Sequence, residues 1–191
     1  MTPLVLTTGG TTEGLRLELT LTWLGDRYGQ RLVVINELGE RCEVAESCEG
    51  TADDLWPPAP PLQQVLMHTI ADQVPAALGV GMAGTSHWSV SIEADPREPR
   101  IVWDVACRCQ PSAPGRLHST FRRIEPPSLD DLPCGLRPVP LDIPEAGPAI
   151  ISSEGRQTEF RPAAGTENSP SGEWTTVRWR FAWEISGRSA P

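Results

Sequence analysis

From Leu15 to Trp23 the chain alternates without a break, with Leu15, Leu17, Leu19, Leu21 and Trp23 set against Arg16, Glu18, Thr20 and Thr22. Period-two alternation puts each set on one face of an extended chain, so this stretch reads as a strand with one wet face. "GDRYGQ" at 25–30 turns the chain into "RLVVIN" at 31–36, and "ELGE" turns it again into a weaker strand, "RCEVAESCE", at 41–49. "HWSVSIEA", the turn "DPRE" at 95–98 and "RIVWDVACRC" form the clearest hairpin. "QPSAPG" at 110–115 then leads into "RLHSTFRRI" at 116–124, and a further hairpin at 149–161 folds about Glu154–Gly155.

One segment breaks the period. After "PPAPP", Leu62, Val65, Leu66, Ile70 and Val74 recur at helical spacing, Pro61 suits a first turn, and Pro75 and Gly79 mark an end. This predicts one amphipathic helix, about 61–78, packed on the sheet. The expected class is therefore α+β: an antiparallel meander forming a curved sheet, sandwich or partial barrel, with that helix against it. The chain of 191 residues reads as a single domain. Residues 125–148, with seven prolines, read as an irregular connector, and 162–173 as a flexible loop.

The most suggestive stretch is "WTTVRWRFAWEIS" at 174–186, where arginine alternates with aromatic residues. A nucleic-acid platform needs both on one accessible face. Here Val177, Trp179, Phe181, Trp183 and Ile185 share one parity, and Arg178, Arg180 and Glu184 the other. The strand reads as core. A formal net charge of -9 also repels phosphate backbones, so no nucleic-acid partner is expected.

All 16 cationic side chains are arginine. Arginine codons are GC-rich and lysine codons AT-rich, so this counts as genome composition rather than anion recognition. The missing lysine excludes a Walker A loop, a kinase β3 lysine and a Schiff base in this chain. Its start, "MTPLVLTTGGTTEG", lacks a basic region and a long apolar run, and is not read as a signal peptide. No apolar run approaches the ~20 residues that cross a bilayer, so no membrane partner is expected. Five cysteines, an odd number, suit a reducing compartment, and the chain is expected to be cytoplasmic.

Cys107-Arg-Cys109 places two thiols on one strand face, with Cys42 and Cys48 as partners for a four-thiolate zinc site. Neither pair has the two-residue gap of zinc ribbons, and Ile101, Trp103 and Val105 share the face of Cys107 and Cys109. These thiols are therefore read as buried, with no metal.

Pairing apolar faces across the 95–98 turn sets Ile92 opposite Ile101 and Ser89 opposite Asp104, with His87 diagonal to it. The same logic across 110–115 sets Arg108 opposite His118 and Asp104 opposite Arg122. One sheet face would then gather His87, Ser89, Asp104, Arg108, His118 and Arg122. A His–Asp pair could act as a base and the arginines could hold an anion.

No catalytic motif, metal or cofactor is expected. The leading expectation is a non-enzymatic binding or protein-interaction module. The alternative is binding of a small anionic ligand, or an enzyme, using the His/Asp/Arg face. A concave, enclosed face would favour the ligand and a flat exposed one the protein partner.

Overall fold

The structure is a computed structural model, described over residues 2–70, 73–110, 117–124, 135–144, 146–163 and 174–186. Thirteen strands form two antiparallel sheets. The first seven are β1 (Leu4–Gly10), β2 (Arg16–Trp23), β3 (Tyr28–Ile35), β4 (Arg41–Ser47), β5 (Gln64–Ile70), β6 (Val74–Ala83) and β7 (Ser86–Ala94). The others are β8 (Arg100–Cys109), β9 (Ser119–Arg123), β10 (Gly135–Leu141), β11 (Ile150–Glu154), β12 (Gln157–Arg161) and β13 (Thr175–Ser186). A seven-stranded sheet runs β1-β2-β3-β4-β9-β12-β11 and a six-stranded sheet runs β10-β13-β8-β7-β6-β5.

The expected helix at 61–78, and with it the α+β class, is overturned: β5 and β6 form a hairpin there, and the fold is nearly all β. Val65, Thr69, Ile70 and Val74 are β-branched, which favours a pleated strand over a helix interior. Beyond them, Ala77, Gly79, Gly81 and Ala83 alternate with Leu78, Val80 and Met82. The small residues face the interior because the segment before β5 lies directly on them. A Cβ on Gly81 would come within 1.6 Å of the Pro61 carbonyl oxygen, and one on Gly79 within 2.8 Å of Leu62 Cδ2.

That segment is the strap between the sheets. The Thr120 N–H donates to the Pro58 carbonyl and the Tyr28 N–H to the Leu62 carbonyl, each at 2.8 Å. Within 125–148, Gly135–Leu141 forms β10, whose Pro138 and Pro140 are tolerated because β10 is an edge strand. Residues 125–134 and 145, and 164–173 of the expected loop, lie outside the described residues.

The sheets face each other across an aromatic core. Phe181 of the six-stranded sheet stacks on Phe160 of the other, with ring centroids 3.9 Å apart, and on Trp103 at 5.4 Å. Phe121 meets Trp103, Phe160, Phe181 and Trp183 edge-on. Two indole N–H groups donate across the gap, Trp103 to Gln30 Oε1 at 2.8 Å and Trp179 to Ser119 Oγ at 3.1 Å. A buried indole N–H without an acceptor costs free energy, so these bonds fix which parts of the two sheets face each other.

The face assignment of β13 holds. Val177, Trp179, Phe181, Trp183 and Ile185 are buried, while the Arg178 guanidinium binds the Asp104 carboxylate on the exposed side. Trp179→Ala should cost about 3–5 kcal/mol, the range for deleting a large buried aromatic. Arg178→Ala should stay within about 1 kcal/mol, since it breaks an exposed pair. Denaturant titration of both variants checks this, and equal losses would show that the two faces of β13 are energetically alike.

Candidate binding face of the six-stranded sheet

The outward residues of the six-stranded sheet fall into rows fixed by strand register. Met82 pairs His87, which pairs Arg108, which pairs Thr176. The next row is Gln64, Val80, Ser89, Ala106 and Arg178. Below it come Leu66, Leu78, Ser91, Asp104 and Arg180. At the far end Glu93 neighbours Val102, and Arg100 neighbours Glu184.

The expected cluster is divided. His87, Ser89, Asp104 and Arg108 do share this outer face. His118 and Arg122 do not, because β9 joins the seven-stranded sheet between β4 and β12, and its Ser119 and Phe121 point into the core. They therefore stand on the opposite side of the molecule. There Arg122 binds Glu46, and His118 Nδ1 lies 3.3 Å from Glu159. The Arg122 guanidinium, followed by burial acting the other way, leaves the Glu46 carboxyl below its ordinary range.

The expected β8–β9 pairing fails because β13 takes that side of β8. Their ladder runs from Thr175 opposite Cys109 to Glu184 opposite Arg100, aligning Trp179 with Val105 and Phe181 with Trp103. The five residues of β9 cannot offer an apolar ladder of that length.

The β7–β8 register is also displaced, by two residues. Ala94 pairs Ile101, Ile92 pairs Trp103, Ser91 pairs Asp104 and Ser89 pairs Ala106. Asp95 Oδ1 accepts from the Arg97 and Glu98 amides, and the Asp95 N–H donates to the Arg100 carbonyl. The pivot thus falls between Arg97 and Glu98, one residue later than expected. An even slip keeps every side chain on its face, so the inward set is unchanged.

Among the described residues no His–Asp pair forms on this face. Asp104 is held through both oxygens by Arg178. His87 instead approaches the Trp174 ring at 6.2 Å, and the Arg108 guanidinium lies 5.8 Å from the same ring. Trp174 shares the parity of Arg178 and Arg180. It is the aromatic residue of the 174–186 stretch that sits with the cations.

Toward β5 the face becomes apolar. Leu66 is 64%, Leu78 40%, Val80 49% and Met82 47% exposed. With the strap filling the space under β6, its large side chains are left outside. Period-two alternation of small and large residues across "AALGVGMA" at 76–83 was the sequence signal, hidden by the helical spacing just before it. Beyond the start of β5, the Gln63 side-chain amide bonds the Met82 N–H and carbonyl, closing that part of the β6 edge.

Of the four described thiols expected to be buried, Cys107 and Cys109 are, while Cys42 and Cys48 are half-buried. Cys107 and Cys109 are fully buried on the inner face, and burial, then the neighbouring Cys109, pushes the Cys107 thiol far up. Cys42 and Cys48 belong to the other sheet's β4 region, and their thiols are raised chiefly by burial. Among the described residues no three His, Cys, Asp or Glu side chains converge as metal ligands. In a chain with Cys42, Cys48 and Cys134 replaced by serine, a thiol reagent should modify Cys107 and Cys109 only on unfolding, because the thiolate is the nucleophile. Rapid native modification would refute the burial.

One carboxyl outside this face is strongly perturbed. Burial pushes Glu49 up to about 7, opposed by the Ser47 hydroxyl and then by Arg27, while Asp26 adds to the rise. Its Oε2 is buried without a hydrogen-bond partner among the described residues. The folded state therefore holds this proton more tightly than the unfolded chain, whose carboxyl titrates near 4.5. The stabilisation is complete below that value and lost as pH rises through about 7. Glu49→Gln should remove this decline, so melting curves of variant and wild type should diverge between about pH 5 and about pH 8. A constant difference would show that Glu49 is ionised in the folded protein throughout.

Compared with known protein families, curated proteins and solved structures, the chain matches none. No helix among the described residues is long and apolar enough to cross a membrane.

Proposed function

We propose that the protein is a non-enzymatic interaction module that receives a partner polypeptide along β5 and the apolar rows beside it. The observation that carries this reading is the exposed run Leu66, Leu78, Val80 and Met82, on an outer face where large exposed apolar side chains are otherwise sparse. Contiguous exposed apolar surface of this kind marks contact sites.

The edge supports it too. Sheet edges are ordinarily protected by proline, charge, bulges or shortness. β10 carries Pro138, Pro140 and Arg137, and β11 has five residues ending in Glu154. β1 has a register shift between Thr7 and Gly10, and its Gly9 N–H is tied to the Asp95 carbonyl. β5, "QVLMHTI", has seven residues and none of these devices. As the edge strand of its sheet among the described residues, it suits strand addition, with Leu66, Leu78 and Val80 giving side-chain contact.

On an acidic chain an uncharged strip is also where another acidic polypeptide approaches at least cost. The four described cysteines are free thiols, in keeping with a cytoplasmic setting. His87, Ser89 and Arg108 are exposed on the outer sheet face, which favours a partner over an enclosed ligand at that end.

A photo-crosslinking residue at Leu66, in the cells that make the protein, tests the reading. A discrete adduct is expected there, lost on adding Leu78→Asp. No such adduct is expected from Leu38, which is equally open but sits in the β3–β4 turn. A second copy or another protein in the adduct would each fit. No adduct at Leu66, or the same products from both positions, overturns the proposal.

A further inference from the structure

At the end of the six-stranded sheet away from Trp174, the outer face dips into a cleft of about 340 Å³. Its lining includes Arg100, Arg180 and Glu93, with Val74, Val102 and Leu141 as apolar walls. That size suits a small molecule rather than a macromolecule.

The two arginines are short of partners for a reason the register supplies. Arg180 stands opposite Asp104, the acid nearest to it in its row. Arg178 occupies both oxygens of that carboxylate. Arg100 stands opposite Glu184, whose Oε1 accepts from Arg137 on the edge strand at 2.6 Å and whose Oε2 lies 3.8 Å from Arg100 Nε, an ion pair too long for a hydrogen bond. The Nε atoms of both Arg100 and Arg180 are buried without a hydrogen-bond partner among the described residues. Asp95, also on the wall, is committed to the turn amides of Arg97 and Glu98. Glu93 keeps one long contact, from the Ser91 hydroxyl at 3.3 Å.

We propose that this cleft binds a small monocarboxylate with an apolar body and a hydrogen-bond donor, the chemistry of an amino or hydroxy acid. The carboxylate meets the guanidinium groups of Arg100 and Arg180, whose planar forks match its geometry. Val74, Val102 and Leu141 cover the apolar body. Glu93 accepts from the donor, and with Asp95 it disfavours ligands carrying several negative charges. This site is independent of the partner contact along β5.

Three probes separate the elements: L-leucine has all of them, 4-methylpentanoate lacks the donor, and leucinol lacks the carboxylate. Amide NMR titration at millimolar probe should give saturable shifts at Val102 and Arg180 for leucine. Weaker shifts are expected for 4-methylpentanoate and none for leucinol. Arg180→Gln should weaken leucine binding about tenfold or more, with Arg180→Lys in between, because an ammonium keeps charge but loses the fork. Arg100→Gln gives a second reading should Arg180→Gln fail to fold. Arg31→Gln, on the other sheet, should bind as wild type does. No saturable shift with either carboxylate, binding of leucinol equal to that of leucine, or binding indifferent to both arginine variants overturns the proposal.

Discussion

Two indole N–H groups reach from one sheet to the other, and the arrangement of the molecule depends on them. Stacked and edge-on rings supply much of the interlayer attraction, but apolar contact alone is tolerant of sliding. The bonds from Trp103 to Gln30 and from Trp179 to Ser119 are not, since a slip would leave indole donors and two polar acceptors buried unpaired. Gln30 lies in β3 and Ser119 in β9, so both halves of the seven-stranded sheet are anchored to the β8–β13 pair.

That alignment determines what the outer surfaces can do. Once the sheets are set, the strap at 57–62 passes over the inner face of β6, where Gly79 and Gly81 leave room for it. The interior there is filled by Leu62, which is fully buried, rather than by β6 side chains. Leu78, Val80 and Met82 are therefore the outward half of a strand whose inward half had to be small. The exposed apolar surface is a consequence of how the strap crosses, and it lies against an edge strand, β5, that has no proline or acidic or basic residue of its own apart from His68.

The strands with one wet face were legible because alternation reports burial directly. β2, β4, β7, β8, β13 and the β11–β12 hairpin lie where the pattern puts them, whereas β3 begins at Tyr28, inside the expected 25–30 turn. The β5–β6 hairpin was not legible. Leu62, Val65, Leu66, Ile70 and Val74 fall by coincidence at helical spacing, yet Leu62 belongs to the strap, and the inner face of β6 carries alanine and glycine in place of large residues. The grouping of His118 and Arg122 with Asp104 failed for a different reason. Local pairing rules favour the next strand in sequence, and the partner of β8 comes instead from the far end of the chain. Four of the six candidate residues stayed on one face because a two-residue register error preserves sidedness. The significance of Trp174, Arg100 and Arg180 was missed because it depends on neighbours that are adjacent in the sheet but distant in sequence.

The charge arrangement completes this picture. In a chain of net charge -9, carboxylates outnumber guanidinium groups. Arg31, Arg41 and Arg122 of the seven-stranded sheet each bind a glutamate. On the six-stranded sheet the accounting comes out differently because Arg137 and Arg178 reach Glu184 and Asp104 first. Arg100 and Arg180 are displaced from the acids opposite them. The displacement depends on β10 and β13 lying side by side at the edge, which in turn rests on the alignment that Trp179 enforces from the other face of β13. The alternation along a single strand thus links the buried indole bond on one side to the under-partnered arginine on the other.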